Sequence, residues 1–226
     1  MDMKAENDHN KIITKAAREI LKPSGLFQKG SSRTWIDDNG WFLTVVEFQP
    51  SGWDKGSYLN IAVNFLWCNK DYLSFDFAFK DVRQNGFVSF DENEEKFYQK
   101  MTAISELALK QVMEYRKFSD INYARKIILK MEKRANAQEW NLYNKMMLCG
   151  LANDPQAVRC FEELTGKLVF ATVPWQINLY EELNNNIKSV IYDTEKFYAY
   201  VVNKIAVQRD FWRSKSSMKK LKEIKF

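Results

Sequence analysis

Residues 58–67, Tyr58-Leu59-Asn60-Ile61-Ala62-Val63-Asn64-Phe65-Leu66-Trp67, decide the fold class. Leu59, Ile61, Val63, Phe65 and Trp67 share one parity, while Tyr58, Asn60, Ala62 and Asn64 share the other. Successive side chains of a strand point to opposite faces, so this alternation predicts a strand with one face on the core. Upstream, Phe27–Ile36 and Trp41–Gln49 read as two more strands around Asp37-Asp38-Asn39-Gly40. Asn-Gly supplies the positive φ angles that a tight hairpin needs. Trp41–Gln49 is apolar on both parities, the mark of a central strand covered on both sides. Downstream, Tyr72–Phe79 and Phe87–Phe90 offer one or two further strands. The expected sheet is an antiparallel meander of three to five strands.

Helical spacing brackets this sheet. Before it, Asp8–Leu21 repeats Ile12, Ile13, Ala16, Ala17 and Ile20, and Pro23 and Gly25 stop the helix. After it, Asp91 and Glu94 have the spacing of a capping box ahead of Phe97, Met101, Ile104, Ala108 and Val112. A helix from Ser119 or Asp120 carries Ile121, Ala124, Ile128 and Met131. A helical hairpin follows, Glu139–Gly150 and Pro155–Leu164, broken at Asn153-Asp154-Pro155 and closed by Gly166. Lys167–Val173 reads as a short strand or a loop, and Trp175–Ile187 and Thr194–Trp212 as two more helices. The predicted class is therefore α+β: an N-terminal helix, an antiparallel sheet, then a mainly helical C-terminal half. Residues 1–136 form the sheet domain with its packing helices in this reading, and residues 137–226 a helical extension ending in a basic tail.

Composition sets the broad class. The 226 residues are 46 % hydrophobic, 15 % aromatic and 28 % charged, a balance that packs a core and opposes general disorder. No apolar run approaches the roughly 18–20 residues of a membrane span. Met1–Asn10 is polar, unlike a secretory signal, and three cysteines (Cys68, Cys149, Cys160) are too few for a disulfide framework. A soluble cytoplasmic protein is the expectation. The formal charge of +5 comes entirely from the tail after Gln208, where seven basic residues face Asp210 and Glu223.

Motifs for catalysis are excluded one by one. His9 is the one histidine, so any histidine-based triad or metal site would have to draw on it. No Cys-x-x-Cys pair and no glycine-rich phosphate loop occurs; Gly166-Lys167-Leu168 lacks the upstream glycine and the Ser or Thr. Lys29-Gly30-Ser31-Ser32-Arg33 offers amides and two cations to an anion, but an edge strand broken by Gly30 explains it equally well. Asp91-Glu92-Asn93-Glu94-Glu95 is explained by capping and the helix dipole. Cys149 and Cys160 lie on the two arms of the helical hairpin, where packing as small hydrophobes is the first reading. No catalytic residue, metal ligand or cofactor is predicted, and neither hydrolase nor oxidoreductase activity is expected.

Two binding candidates stand out. If Leu59, Ile61 and Val63 face the core, then Tyr58, Asn60 and Asn64 face outward, where Arg33 or Glu47 could join them from the neighbouring strands. Trp35, Trp41, Trp53 and Trp67 surround this region, and polar groups converging on an aromatic sheet can recognise a ligand or partner. An ordinary solvated sheet face, with the tryptophans in core and rim, accounts for the same residues. The second candidate is the tail, with Arg209, Trp212, Arg213, Lys215, Lys219, Lys220 and Lys222 interleaved with Phe211, Met218, Leu221, Ile224 and Phe226. Such a segment can neutralise phosphates and stack on bases, or lie on an anionic membrane. Docking of its apolar residues onto the body, with lysine charges left in water, is the simpler reading.

Leu26-Phe27-Gln28-Lys29-Gly30, Arg33-Thr34-Trp35, Glu47-Phe48-Gln49-Pro50-Ser51 and Leu59-Asn60-Ile61-Ala62-Val63-Asn64 together resemble a bacterial domain-of-unknown-function family, the one numbered 4304. The resemblance covers roughly residues 10–70 and departs at Leu26, where an aromatic is typical, and at Pro50. It implies an α+β domain and brings no assigned reaction or cofactor. A non-enzymatic protein-interaction module is the leading functional expectation. The alternative is a nucleic-acid-associated protein using the basic tail, and the third is an enzyme built from scattered Asp, Glu, Lys or Tyr residues.

Overall fold

The computed structural model describes residues 8–79, 81–130 and 138–223; Met131, Ile224, Lys225 and Phe226 lie outside the described residues. Helix α1, Asp8–Leu21, buries Ile13, Ala16, Ala17 and Leu21 along one stripe. It ends where Gly25 takes φ +92° and Leu26 N–H closes onto the Leu21 carbonyl at 3.2 Å. Five antiparallel strands follow in meander order: β1 Phe27–Gln28, β2 Thr34–Asp38, β3 Phe42–Gln49, β4 Gly56–Phe65 and β5 Val88–Ser89.

The Asn39-Gly40 hairpin forms as expected, with Gly40 at φ +85° and Asn39 N–H on the Phe42 carbonyl at 3.1 Å. Phe27–Ile36 does not run as one strand. Gly30 takes φ +57°, Ser32 N–H reaches the Lys29 carbonyl and Lys29 N–H the Thr34 carbonyl, so residues 29–33 form a hairpin turn. Tyr72–Phe79 gives no full strand either; Phe77 and Arg83 make single bridges to Val63 and Asn60 along the free side of β4. Gly56, at φ +145°, meets β5 so closely that an added Cβ would sit 2.1 Å from the Val88 oxygen.

Helix α2, Glu94–Arg116, buries Phe97, Met101, Ala108 and Val112 of the expected stripe, while Ile104 is half-buried. Its cap differs from the Asp91/Glu94 expectation. Asn93 Oδ1 accepts the Lys96 amide at 2.9 Å, while Asp91 pairs with Lys96 and Lys100 at 3.3 and 3.4 Å. The residue next to the first helical turn reaches its free amides, and two positions further out does not.

The sheet is covered on both faces, which explains the two-sided apolarity of β3. On one face α1 and α2 pack on each other and on β4, and Arg116 forks onto Asp37 at 3.0 and 2.6 Å. The other face bears Ile36, Val45 and Ala62, all at or near full burial, and Asp38. Asp38 is held there by Arg209 and by the Lys222 amide.

The chain divides into two compact units. The first takes residues up to Leu66, Lys70–Arg116 and the segment from Arg209; the second takes Trp67–Asn69 and Lys117–Gln208. The division thus falls at Lys117 and Arg209, where the sequence reading put its boundary at 137. The second unit holds α3 Ile121–Ile128, α4 Gln138–Leu151, α5 Gln156–Leu168, α6 Pro174–Glu182, a π-helical turn Leu183–Ile187, and α7 Thr194–Ser214 as far as Gln208. Helix α3 packs against α4 and so joins the second unit.

Asp120 caps α3, accepting from the Asn122 and Tyr123 amides. Asp154 Oδ1 accepts the Gln156 amide at 2.8 Å at the start of α5. Gly166 does not close that helix. α5 continues through it to bury Leu168, whose 1 % exposure outweighs the roughly 1 kcal/mol that glycine costs in a helix. Lys167–Val173 forms no strand; it is the helix end and a short link. No described helix is long and apolar enough to cross a membrane.

Candidate functional site

The five sheet-face residues do not form one site. Glu47 lies opposite Asn60 in the β3–β4 ladder, and Asn60 Nδ2 donates to Glu47 Oε2 at 2.9 Å and to Gln49 Oε1 at 2.7 Å. Arg83 donates to the same Gln49 oxygen and lies 3.8 Å over the Tyr58 ring. Glu47, Tyr58 and Asn60 are therefore one cluster. Asn64, further along the strand, donates to Ser74 Oγ and Asp76 Oδ2, and Asp76 is paired with Lys70 at 3.0 Å. Arg33 has the opposite parity from Thr34 and reaches the Gly56 carbonyl at 3.2 Å, with His9 Nε2 at 3.5 Å. Burial lowers the Arg33 pKa.

The outward, solvated placement expected for Asn60 and Asn64 is corrected: they are 5 % and 3 % exposed. Their amides are spent inside the fold on Glu47, Gln49, Ser74 and Asp76. His9, the one histidine, is buried on α1 and stacks on Phe90.

The tail residues divide as well. Arg209 and Trp212 are each 3 % exposed. Arg209 forks onto Asp38 at 2.7 and 2.9 Å and donates to the Gly40 carbonyl at 2.7 Å and to the Lys222 carbonyl. Burial alone would raise the Asp38 pKa; the Arg209 hydrogen bonds and charge, with the Lys222 and Gly40 amides, outweigh it and hold it below the usual range. Arg213 pairs with Asp210 at 3.4 Å and Lys215 lies 4.4 Å over Phe211. Met218 and Leu221 are buried, whereas Lys215, Lys219, Lys220 and Lys222 are exposed. Of the described apolar residues of the tail, Trp212, Met218 and Leu221 are buried, and four lysines stay in water.

The most conspicuous surface was not among the sequence candidates. From Leu168 to Tyr180, thirteen consecutive residues carry no charge in a chain that is 28 % charged. Within them Val169, Phe170, Val173, Trp175 and Ile177 are exposed, Phe170 at 89 %.

Local chemistry fixes this ledge. Leu168 and Leu179 are buried and anchor its ends. Ala171 N–H turns back to the Leu168 carbonyl at 2.9 Å, and Val173, before a proline, is extended at φ −86° and ψ 134°. Pro174 then starts α6 at the position where its missing N–H costs nothing. Trp175 stacks on Trp140 of α4 at 5.9 Å, and Gln176 Nε2 donates to Glu139 Oε1 at 3.2 Å. The uncharged run between Lys167 and Glu181 was the signal in the sequence that marked it.

A polar cluster flanks the π-helical turn. Glu182 Oε1 accepts from Tyr200 OH at 2.6 Å and Lys204 Nζ at 2.8 Å, and Oε2 accepts from Asn186 at 2.6 Å. For Glu182, burial opposes ionisation but Lys204 and Tyr200 outweigh it and lower the pKa. Tyr200 is pushed up by burial and then by the Glu182 charge, which keeps its proton as the donor. Both carboxylate oxygens are engaged, so this group ties α6 to α7. Among the described residues no three His, Cys, Asp or Glu side chains are grouped to hold a metal ion.

Comparison with known family models, curated proteins and solved structures finds no match.

Proposed function

We propose that the chain is a non-enzymatic protein-interaction module that seats an uncharged, apolar segment of another protein on the Val169–Ile177 ledge. The observation that carries this is five exposed apolar side chains within nine residues, bounded by a thirteen-residue stretch without a charge. Interface cores are depleted of charge and enriched in aromatics, and contiguous apolar exposure is uncommon on monomers. Covering one side chain of the size of Phe170 contributes about 1.5–3 kcal/mol. The turn at Ala171, Pro174 and the Trp140–Trp175 stack hold the ledge in shape beforehand, which lowers the ordering cost of association.

The resemblance to the family numbered 4304 brings no reaction, so we rest the proposal on the surface. We place the protein in the cytoplasm, since three cysteines are too few and odd in number for the disulfide framework of a secreted domain. The nucleic-acid alternative keeps four exposed lysines, because Arg209 is held by Asp38 and Trp212 is buried.

A photo-crosslinking residue at position 170 tests the reading, with one at position 207 as control, since Val207 is also exposed at 50 % on α7. Illumination in cells is expected to give one discrete adduct from position 170, lost when Trp175→Asp is added. An adduct of twice the chain mass makes the occupant a second copy. Indistinguishable adduct patterns from 170 and 207 overturn the proposal.

A further inference from the structure

The fold lays the hairpin turn at Lys29-Gly30-Ser31-Ser32 against the C-terminal tail: a Cβ added at Gly30 would lie 3.3 Å from the Ser217 Cβ. Lys29 thereby joins Lys215 and Lys219, which flank Ser217 on either side, and Lys220 follows them. From α1, Arg18 donates to Gln28 Oε1 at 3.3 Å, and Gln28 Nε2 donates to the Ser32 carbonyl at 2.7 Å. Three segments far apart in sequence therefore bring cations to the β1 edge of the sheet. Residues 27–36 and 211–222 contain no acidic side chain. Of the carboxylates beside them, Asp210 pairs with Arg213 and Glu19 accepts from Tyr98, while Glu223 is exposed.

The tail presents its lysines from a fixed backbone. Met218 N–H reaches the Lys215 carbonyl at 2.9 Å, Leu221 N–H the Met218 carbonyl at 3.0 Å, and Lys222 N–H the Asp38 carboxylate at 2.9 Å. Met218 and Leu221 are buried, so Lys219 and Lys220 between them are held outward and exposed. No apolar side chain of either stretch is exposed. Phe27, Trp35, Ile36 and Trp212 are buried, and Phe211 is half-buried with Lys215 4.4 Å over its ring.

We propose that this composite basic face binds the phosphate backbone of duplex nucleic acid without reading its sequence. Lying on an anionic membrane takes exposed apolar side chains that enter the lipid, and gripping a single strand takes exposed aromatics that stack on bases. Neither stretch offers them. Cations on a pre-shaped surface are what phosphate contacts require, and such contacts carry no sequence information. The face lies wholly within the first unit, whereas the ledge belongs to the second, so the two readings stand or fall separately.

The test measures binding of the full chain to a short fluorescent DNA duplex of arbitrary sequence, by anisotropy across a salt series. Affinity is expected to fall with a log–log slope of about −4 to −5, at roughly −0.9 for each phosphate neutralised. Lys29→Gln and Lys220→Gln should each weaken binding severalfold and reduce the slope by about one, although they lie at opposite ends of the chain. Lys110→Gln, which removes an exposed cation from α2, should change neither. Urea unfolding of each variant confirms that its fold is intact. If Lys220→Gln weakens binding and Lys29→Gln does not, the tail acts as an isolated arm and the composite face is overturned. An equal loss from Lys110→Gln, no salt-dependent binding, or tighter binding to phosphatidylserine vesicles than to the duplex also overturns it.

Discussion

The sheet face near Glu47 and the ledge near Phe170 invert the usual assignment of polar to outside and apolar to inside. On the sheet, Asn60 and Asn64 are polar and buried, and Asp38 is buried against Arg209. On the ledge, Val169, Phe170 and Trp175 are apolar and exposed. Asn60 and Asp38 have partners inside the protein: Asn60 holds Glu47 and Gln49, and Asp38 accepts two guanidinium nitrogens and two amides. The exposed ledge apolar groups are left uncovered. A polar residue whose hydrogen bonds are complete is finished business within the fold, whereas a cluster of bare apolar side chains is surface awaiting contact.

The largest effect that sharpens this contrast is expected from removing residues 214–226. That removes the buried Met218 and Leu221, each contributing about 1.5–3 kcal/mol, and deprives Asp38 and Arg209 of their Lys222 contacts. Urea unfolding should show the loss. If the truncation leaves stability unchanged but abolishes salt-sensitive binding to DNA, the tail is a nucleic-acid arm instead.

Next comes Arg209→Ala, expected to cost about 3–5 kcal/mol because it leaves Asp38 buried without its cation. The pH dependence follows from the depressed Asp38 pKa. Its contribution is complete above the unfolded value of about 3.9 and is lost as pH falls through the lower folded value. Wild type should therefore lose this increment in acid. Arg209→Ala should show a flatter acid limb, and equal limbs would remove the ion pair from the account.

How much of this was legible before the structure depends on the range of the interaction. Period-two alternation at Leu59–Phe65 and the Asn39-Gly40 turn are local signals, and both held in the fold. The turn at Lys29–Arg33 was hidden because Phe27 and Trp35 flank it with strand-like residues, and only Gly30 at φ +57° marks it. Gly166 looked like a helix end and is not, because burial of Leu168 decides. Arg209 lies 171 residues from Asp38, so no local pattern could pair them. Trp35, Trp41 and Trp67 are buried as core reasoning expects, while Trp53 is 95 % exposed in the loop between β3 and β4. The ledge was legible only as a missing charge, a weaker mark than a positive motif.

Ile61→Ala probes the core beneath the polar cluster. Ile61 has no exposure, and shortening it is expected to cost about 2–5 kcal/mol by leaving a cavity. A cost below about 0.5 kcal/mol, the surface range, would mean the β4 parity is assigned to the wrong face.

The smallest expected effect on stability is at the ledge itself, and it carries the functional weight. Phe170 is 89 % exposed, so Phe170→Asp removes little buried area and leaves the new carboxylate in water. The change should stay within about 0.5 kcal/mol in urea unfolding, as for surface substitutions generally. Association is a different matter. A carboxylate placed in a stretch without charges must be desolvated when an apolar partner covers it, with no cation among residues 168–180 to compensate. Binding should then weaken by at least tenfold, about 1.4 kcal/mol, while the fold is untouched. If instead Phe170→Asp destabilises the protein by several kcal/mol, the side chain is covered by its own chain in solution and the ledge is core. If it changes neither stability nor any association, the exposed ring has no partner and the interaction proposal falls.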